Sequence, residues 1–258
     1  MWVLAVRSLD PPEPQRVQAI ATALGLTPYE ARARAQGPAP RVVATFGQRP
    51  PADGAAEALD AAGLDPIVLG DDQIESDARR VFVRSFALAP GSVRFVSRDG
   101  RSFDVASADF TLLLRGTRIR RDSHVEVTTE RRLSVGKAVL TGGLLMTSGK
   151  KKETTISTEV REGFLSLYAT STPDLLIGET TVLYEGLGPA MAPTRAANFM
   201  RLVAELRTLA AAAVYDERLL TRAGQAQVLG GVLGPEPFLD VATTVLAASL
   251  RAATAPYR

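Results

Sequence analysis

Lys137, Lys150, Lys151 and Lys152 are the only lysines in this 258-residue chain, and they fall within sixteen consecutive positions. Arg118, Arg120, Arg121, Arg131 and Arg132 crowd the same stretch, so 118–152 holds 9 basic against 3 acidic side chains. Between the lysines runs Ala138-Val-Leu-Thr-Gly-Gly-Leu-Leu-Met146, an apolar segment centred on glycine. Cations on the shoulders of an apolar segment suit a surface that is both anionic and oily. Each cation near an anionic leaflet adds about 1 kcal/mol, and Leu144, Leu145 and Met146 would supply a shallow hydrophobic anchor. The same residues also suit a protein partner, or a solvated charge run on a hairpin whose apolar residues pack on their own core. Nucleic acid is disfavoured, because the window lacks the aromatic side chains on which bases stack.

The remaining reactive residue types argue against an enzyme. His124 is the single histidine, so a triad, a histidine metal site or a histidine acid–base pair has little to draw on. With no cysteine, disulfides, thiolate metal sites and cysteine nucleophiles are all excluded. Two carboxylates brought together could act as acid and base; Asp104, Asp109, Glu159 and Glu162 qualify by type alone, and Glu159 and Glu162 beside a strand end suit a solvated face. Gly136-Lys137 lacks both the glycine five residues earlier and the following Ser or Thr of a phosphate loop. Gly186-Leu-Gly188 runs into Pro189 and opens no dinucleotide-binding helix. No catalytic residue, metal or cofactor is expected.

Composition sets the scale for the elements that carry these residues. A hydrophobic content of 46% with 22% charged residues describes a globular chain able to bury one large core or two ordinary ones. Only Trp2 to Val6 precede Arg7 and Asp10, too little for an export signal. No run approaches the roughly 18–20 apolar residues of a spanning helix, so the cytoplasm is the expected location. The net charge of +2 is unevenly laid out: −5 over 1–77, +5 over 78–188 and +2 over 189–258.

Hydrophobic periodicity predicts β-α-α-β-α-β over residues 1–75. Trp2 to Val6 is a strand. Pro14 to Leu24 is a helix stopped by Gly25, and Thr27-Pro-Tyr-Glu30 is a capping box that opens a second helix ending at about Ala35. Arg41 to Phe46 is a strand, Asp53 to Ala62 a helix and Pro66 to Leu69 a strand, in the order of a small open-faced sandwich. The segments Leu24-Gly-Leu-Thr-Pro-Tyr-Glu-Ala-Arg, Arg41-Val-Val and Ala58-Leu-Asp-Ala-Ala-Gly-Leu resemble the C-terminal domain of the bacterial ribosomal stalk protein. That resemblance implies the fold only, since the lysines with which the stalk domain engages translation factors are absent.

Residues 78–212 read as short strands with frequent turns: 80–88, 93–97, 102–105, 110–119, 125–133, 154–160, 163–170 and 175–177. Asp99-Gly100 is a two-residue hairpin signal, and the lysine window forms an insertion between two of the strands. A helix from Thr194 to about Ala211 follows, with Phe199, Leu202, Val203 and Leu206 on one face. Phe103-Asp-Val-Ala-Ser-Ala-Asp-Phe110 leading into Leu112-Leu-Leu-Arg-Gly-Thr, and Leu183-Tyr-Glu-Gly-Leu-Gly188 leading into the helix with Asn198-Phe199, resemble bacterial pleckstrin-homology-like domains. The resemblance implies an antiparallel β-barrel capped by one helix. A tail, 213–258, reads as a turn at Tyr215-Asp-Glu-Arg, a glycine link at Gly230-Gly231 and a helix from Phe238 to Ala253, whose apolar face needs a partner in this chain or in a second copy.

The expectation is therefore an α+β protein: a small sandwich, a capped barrel and a helical tail. It would serve as a non-catalytic interaction or regulatory module, or alternatively as a peripheral membrane adaptor contacting anionic lipid through the basic hairpin 118–152.

Overall fold

The structure, a computed structural model, describes residues 1–8, 12–132 and 148–254, without the side chains of 120–160, 253 and 254. The chain forms two compact units, the first made of Met1–Arg118 with Glu162–Arg258, the second of Ile119–Arg161.

In the first unit the expected β-α-α-β-α-β order is present: β1 (Trp2–Val6), α1 (Glu13–Leu24), α2 (Pro28–Ala35), β2 (Arg41–Phe46), α3 (Arg49–Ala61) and β3 (Pro66–Gly70). The punctuation is local. Gly25 takes the left-handed conformation that ends α1, at φ 63°, and Thr27 and Glu30 complete a reciprocal capping box for α2. Helix α3 starts four residues before the expected Asp53. Pro50 and Pro51 fall in its first turn, where the missing N–H groups would have had no intrahelical partner.

β1 is central, antiparallel to β2 on one side and β3 on the other. Its unbroken apolar run has a simple cause, because both faces are buried. Leu4 and Val6 join Ile20, Val43, Leu59 and Leu64 under the helices. Val3 and Ala5 face the opposite way, into a core with Leu112, Leu114, Phe164, Tyr168, Leu176 and Leu246. The sandwich is thus not open-faced, and residues from all three sequence segments meet in one core.

The second sheet has seven strands: β4 (Val81–Ala89), β5 (Ser92–Ser97), β6 (Ser102–Ala106), β7 (Phe110–Arg132), β8 (Ser148–Ala169), β9 (Leu175–Gly178) and β10 (Val214–Leu219). Their order is β10-β7-β8-β9-β4-β5-β6. β4, β5 and β6 pair antiparallel in chain order, with Gly100 at φ 84° in the Asp99-Gly100 turn. The sheet is nevertheless mixed and not the expected antiparallel meander, since β4 runs parallel to β9 and β7 parallel to β10. Among the described residues no pairing joins β6 to β10, so the barrel closure expected from sequence is not seen. Tyr215-Asp-Glu-Arg is strand and not turn, because pairing with Leu112 to Gly116 of β7 overrides its polar composition.

Helix α4 (Arg195–Leu209) buries Phe199, Leu202, Val203 and Leu206 with Phe95, Val105 and Phe110 of the sheet. A short helix, α5 (Arg222–Val228), precedes α6 (Leu239–Thr254). Val241, Ala242, Val245 and Leu246 of α6 are buried against this chain's own core, so the face that suggested a second copy is covered internally.

The second unit holds the continuations of β7 up to Arg132 and of β8 from Ser148. Each is an unbroken strand where the sequence suggested two, and the two are neighbours in the sheet.

Candidate functional site

Of the residues singled out from sequence for contact, Arg118 is the one whose side chain is described. The side chains of Arg120, Arg121, Arg131, Arg132, Lys150, Lys151 and Lys152, and all of Lys137, Leu144, Leu145 and Met146, lie outside the described residues, as do the side chains of His124 and Glu159.

Arg118 is committed to its own chain. Its Nε donates to Glu162 Oε2 at 3.0 Å and its Nη1 to Asp77 Oδ2 at 3.4 Å. Glu162 is 1% exposed, the opposite of the solvated residue its sequence neighbours suggested. Its other oxygen, Oε1, accepts the Thr180 N–H at 3.2 Å and the Thr180 hydroxyl, while Arg195 Nη1 donates to the Thr180 carbonyl at 2.8 Å. Gly178 leaves room for this node, since a Cβ there would stand 3.0 Å from Glu162 Oε1. Burial pushes the Glu162 pKa up, but the Thr180 hydroxyl, the Arg118 charge and the remaining hydrogen bonds more than offset it, holding the carboxyl below its ordinary value. The node joins β7 and β8, neighbours in the sheet, to the segment before β4. Chain separation hid it from sequence reading.

A second cluster lies at the end of β8 near α6. The Tyr168 hydroxyl, on a side chain 1% exposed, donates to Glu75 Oε2 at 2.7 Å. Glu75 N–H donates to Thr244 Oγ1 at 2.9 Å, and Arg251 lies over the Tyr168 ring, 5.5 Å from its centroid. Arg80, its side chain 6% exposed, donates from Nη1 to Asp240 at 2.6 Å and has Glu75 at 4.0 Å and Asp77 at 3.5 Å. Burial raises the Glu75 pKa, opposed by the Tyr168 hydrogen bond and the nearby arginines. Asp174 is raised by burial too, against Arg251 and Arg80. Tyr168 is raised well above the ordinary phenol range by burial and by the Glu75 charge. Perturbed carboxyls of this kind mark active sites, but buried ion-pair networks perturb them equally. Here the proton donor and the cation are both enclosed, and Glu75 and Asp240 are each held by a partner from another element. The cluster ties Glu75 and Arg80 to α6 and β8 across the core.

Asp104 is neither in these clusters nor close to Glu162 in role; it pairs with Arg94 at 2.7 Å on the exposed surface of the β5–β6 hairpin. Among the described residues no group of three or more acidic or histidine side chains could hold a metal ion, and no helix is long and apolar enough to cross a membrane. Compared with protein-family models, with curated proteins and with solved structures, the chain matches none.

Proposed function

We propose that this chain is a non-catalytic interaction or regulatory module whose contact with an anionic partner lies in the second unit. The observation that carries the reading is the charge of that unit. Residues 119–161 hold 9 basic and 5 acidic side chains, net +4, whereas the first unit holds 21 and 23, net −2. A discrete piece of chain with more positive charge than the whole molecule concentrates field where a partner could be steered. The enclosure of Glu162, Tyr168 and Arg80 in the first unit supports a structural role for its titratable groups. The pleckstrin-homology-like reading belongs to this proposal; the antiparallel β4–β5–β6 run and the helix α4 packed in the same core favour it, while the two parallel joins depart from it.

The alternative, a peripheral membrane adaptor, is favoured by Leu144, Leu145 and Met146 standing between the lysine groups. One experiment addresses both readings. The full chain and a Lys150→Gln, Lys151→Gln, Lys152→Gln variant are compared for retention on immobilised heparin and for co-sedimentation with phosphatidylserine vesicles at rising salt. Binding to both that falls in the variant supports the interaction module, and binding to vesicles alone supports the adaptor. Exposed charge attraction is screened within about 10 Å at 0.1 M salt, so either binding should weaken steeply. Equal retention of variant and parent would overturn both readings.

A further inference from the structure

Arg41 opens β2 and is 5% exposed, yet it makes no ion pair and no side-chain hydrogen bond among the described residues. Its Nε is sealed from solvent without a partner; Nη1 and Nη2 are not sealed in this way. A guanidinium stays charged in proteins, and a buried charge without a counter-charge costs several kcal/mol. Burial indeed lowers the Arg41 pKa from its ordinary value. Arg80, whose side chain is 6% exposed, has by contrast the Asp240 carboxylate at 2.6 Å.

Backbone packs closely on the guanidinium, so a ligand would reach it from the side on which Nη1 and Nη2 are not sealed. A Cβ at Gly37 would stand 2.8 Å from Arg41 Nη1, and one at Gly230 would stand 3.6 Å from Nε while colliding with the Val42 carbonyl. Both glycines have positive φ, 94° and 65°, and Gly231 follows at 71°, so the chain bends tightly on either side of the guanidinium. Two further arginines reach the same segment. Arg34 donates to the Val43 carbonyl, and Arg218 donates to the Ala39 carbonyl at 2.9 Å while pairing with Asp216 at 2.8 Å. Asp216 is thus already taken.

We propose that Arg41 anchors a binding site for a small oxyanion, a phosphate or a carboxylate, between the loop 36–40 and the Gly230-Gly231 turn. The planar fork of a guanidinium matches two oxygens of such a group. The site is separate from the basic second unit and does not depend on the function proposed for it.

The test uses the full chain in chloride buffer at fixed ionic strength, titrated with inorganic phosphate or with acetate. The melting temperature should rise saturably with the anion that fits, since a ligand bound only by the folded state stabilises it by mass action. Response to phosphate alone assigns a phosphoryl group; response to acetate as well assigns a carboxylate-sized site. Arg41→Met should melt at or above the parent in chloride and show no anion response, and Arg41→Lys should respond more weakly than the parent. Should Arg41→Met fail to fold, the Arg41 Nε–Hε resonance of the parent must still shift saturably with the anion. A parent indifferent to both anions, or an Arg41→Met variant that responds as the parent does, overturns the proposal.

Discussion

Removing Arg118 from the buried node should expose how strongly its charges depend on one another. In Arg118→Met the Glu162 carboxylate, 1% exposed, keeps the two Thr180 donors but loses its counter-charge. Removing one partner of a buried pair costs about 3–5 kcal/mol, and the surviving Thr180 bonds place this case near 3. Glu162→Gln removes the charge while Arg118 retains Asp77 at 3.4 Å, a loss of about 2 kcal/mol, as for a charged hydrogen bond. The double variant should cost about 3 and not 5 kcal/mol, because the charge stranded by either single change no longer exists. The coupling of about 2 kcal/mol is read from a double-mutant cycle in urea melts. The sign with pH follows from the carboxyl. The Glu162 pKa is lowered in the folded state, so its contribution is present above the unfolded value near 4.3 and is lost as pH falls through the folded one. The gap between parent and Arg118→Met should therefore close in acid. Coupling below about 0.5 kcal/mol, the level of solvent-exposed pairs, would refute the description of a closed node.

Glu75 should behave in the opposite sense. Its folded pKa is raised, so its contribution is fully present below the unfolded value near 4.3 and is lost as pH rises through the folded one; Glu75→Gln, which still accepts from Tyr168, should gain on the parent as pH rises above that unfolded value, and parallel stability curves would contradict this. Gly186→Ala should destabilise by about 1–3 kcal/mol, since its Cβ would meet the Phe86 carbonyl and stand 2.9 Å from the Phe86 ring; an unchanged denaturation midpoint would contradict the packing of this turn on β4.

The elements were legible where their signals are short-range. The Thr27–Glu30 capping box, the Gly25 stop, the Asp99-Gly100 turn and the face of α4 each involve residues within a few positions of one another, and each stands where its spacing put it. Even the continuous apolar run of β1 carried information, for a strand buried on one face alone would alternate. What covers its second face was not legible, because most of the residues that meet that face lie more than a hundred positions away.

The sequence by itself determined the local vocabulary of this protein: which residues turn, cap, alternate, or repeat at helical spacing, and where the basic charge is concentrated. Tertiary structure decided which strands lie side by side, since parallel pairing of β4 with β9 and β7 with β10 is a choice among edges that no local propensity encodes. It also decided the state of the charges. Glu162 with Arg118, Tyr168 with Glu75 and Arg80 with Asp240 are separated by 44, 93 and 160 positions, and each becomes a buried, pKa-shifted or neutralised group only when the core removes water from around it. Arg41 followed the same rule in reverse, an ordinary arginine at the start of a strand until folding enclosed it beside Gly37 and Gly230, with no ion pair among the described residues.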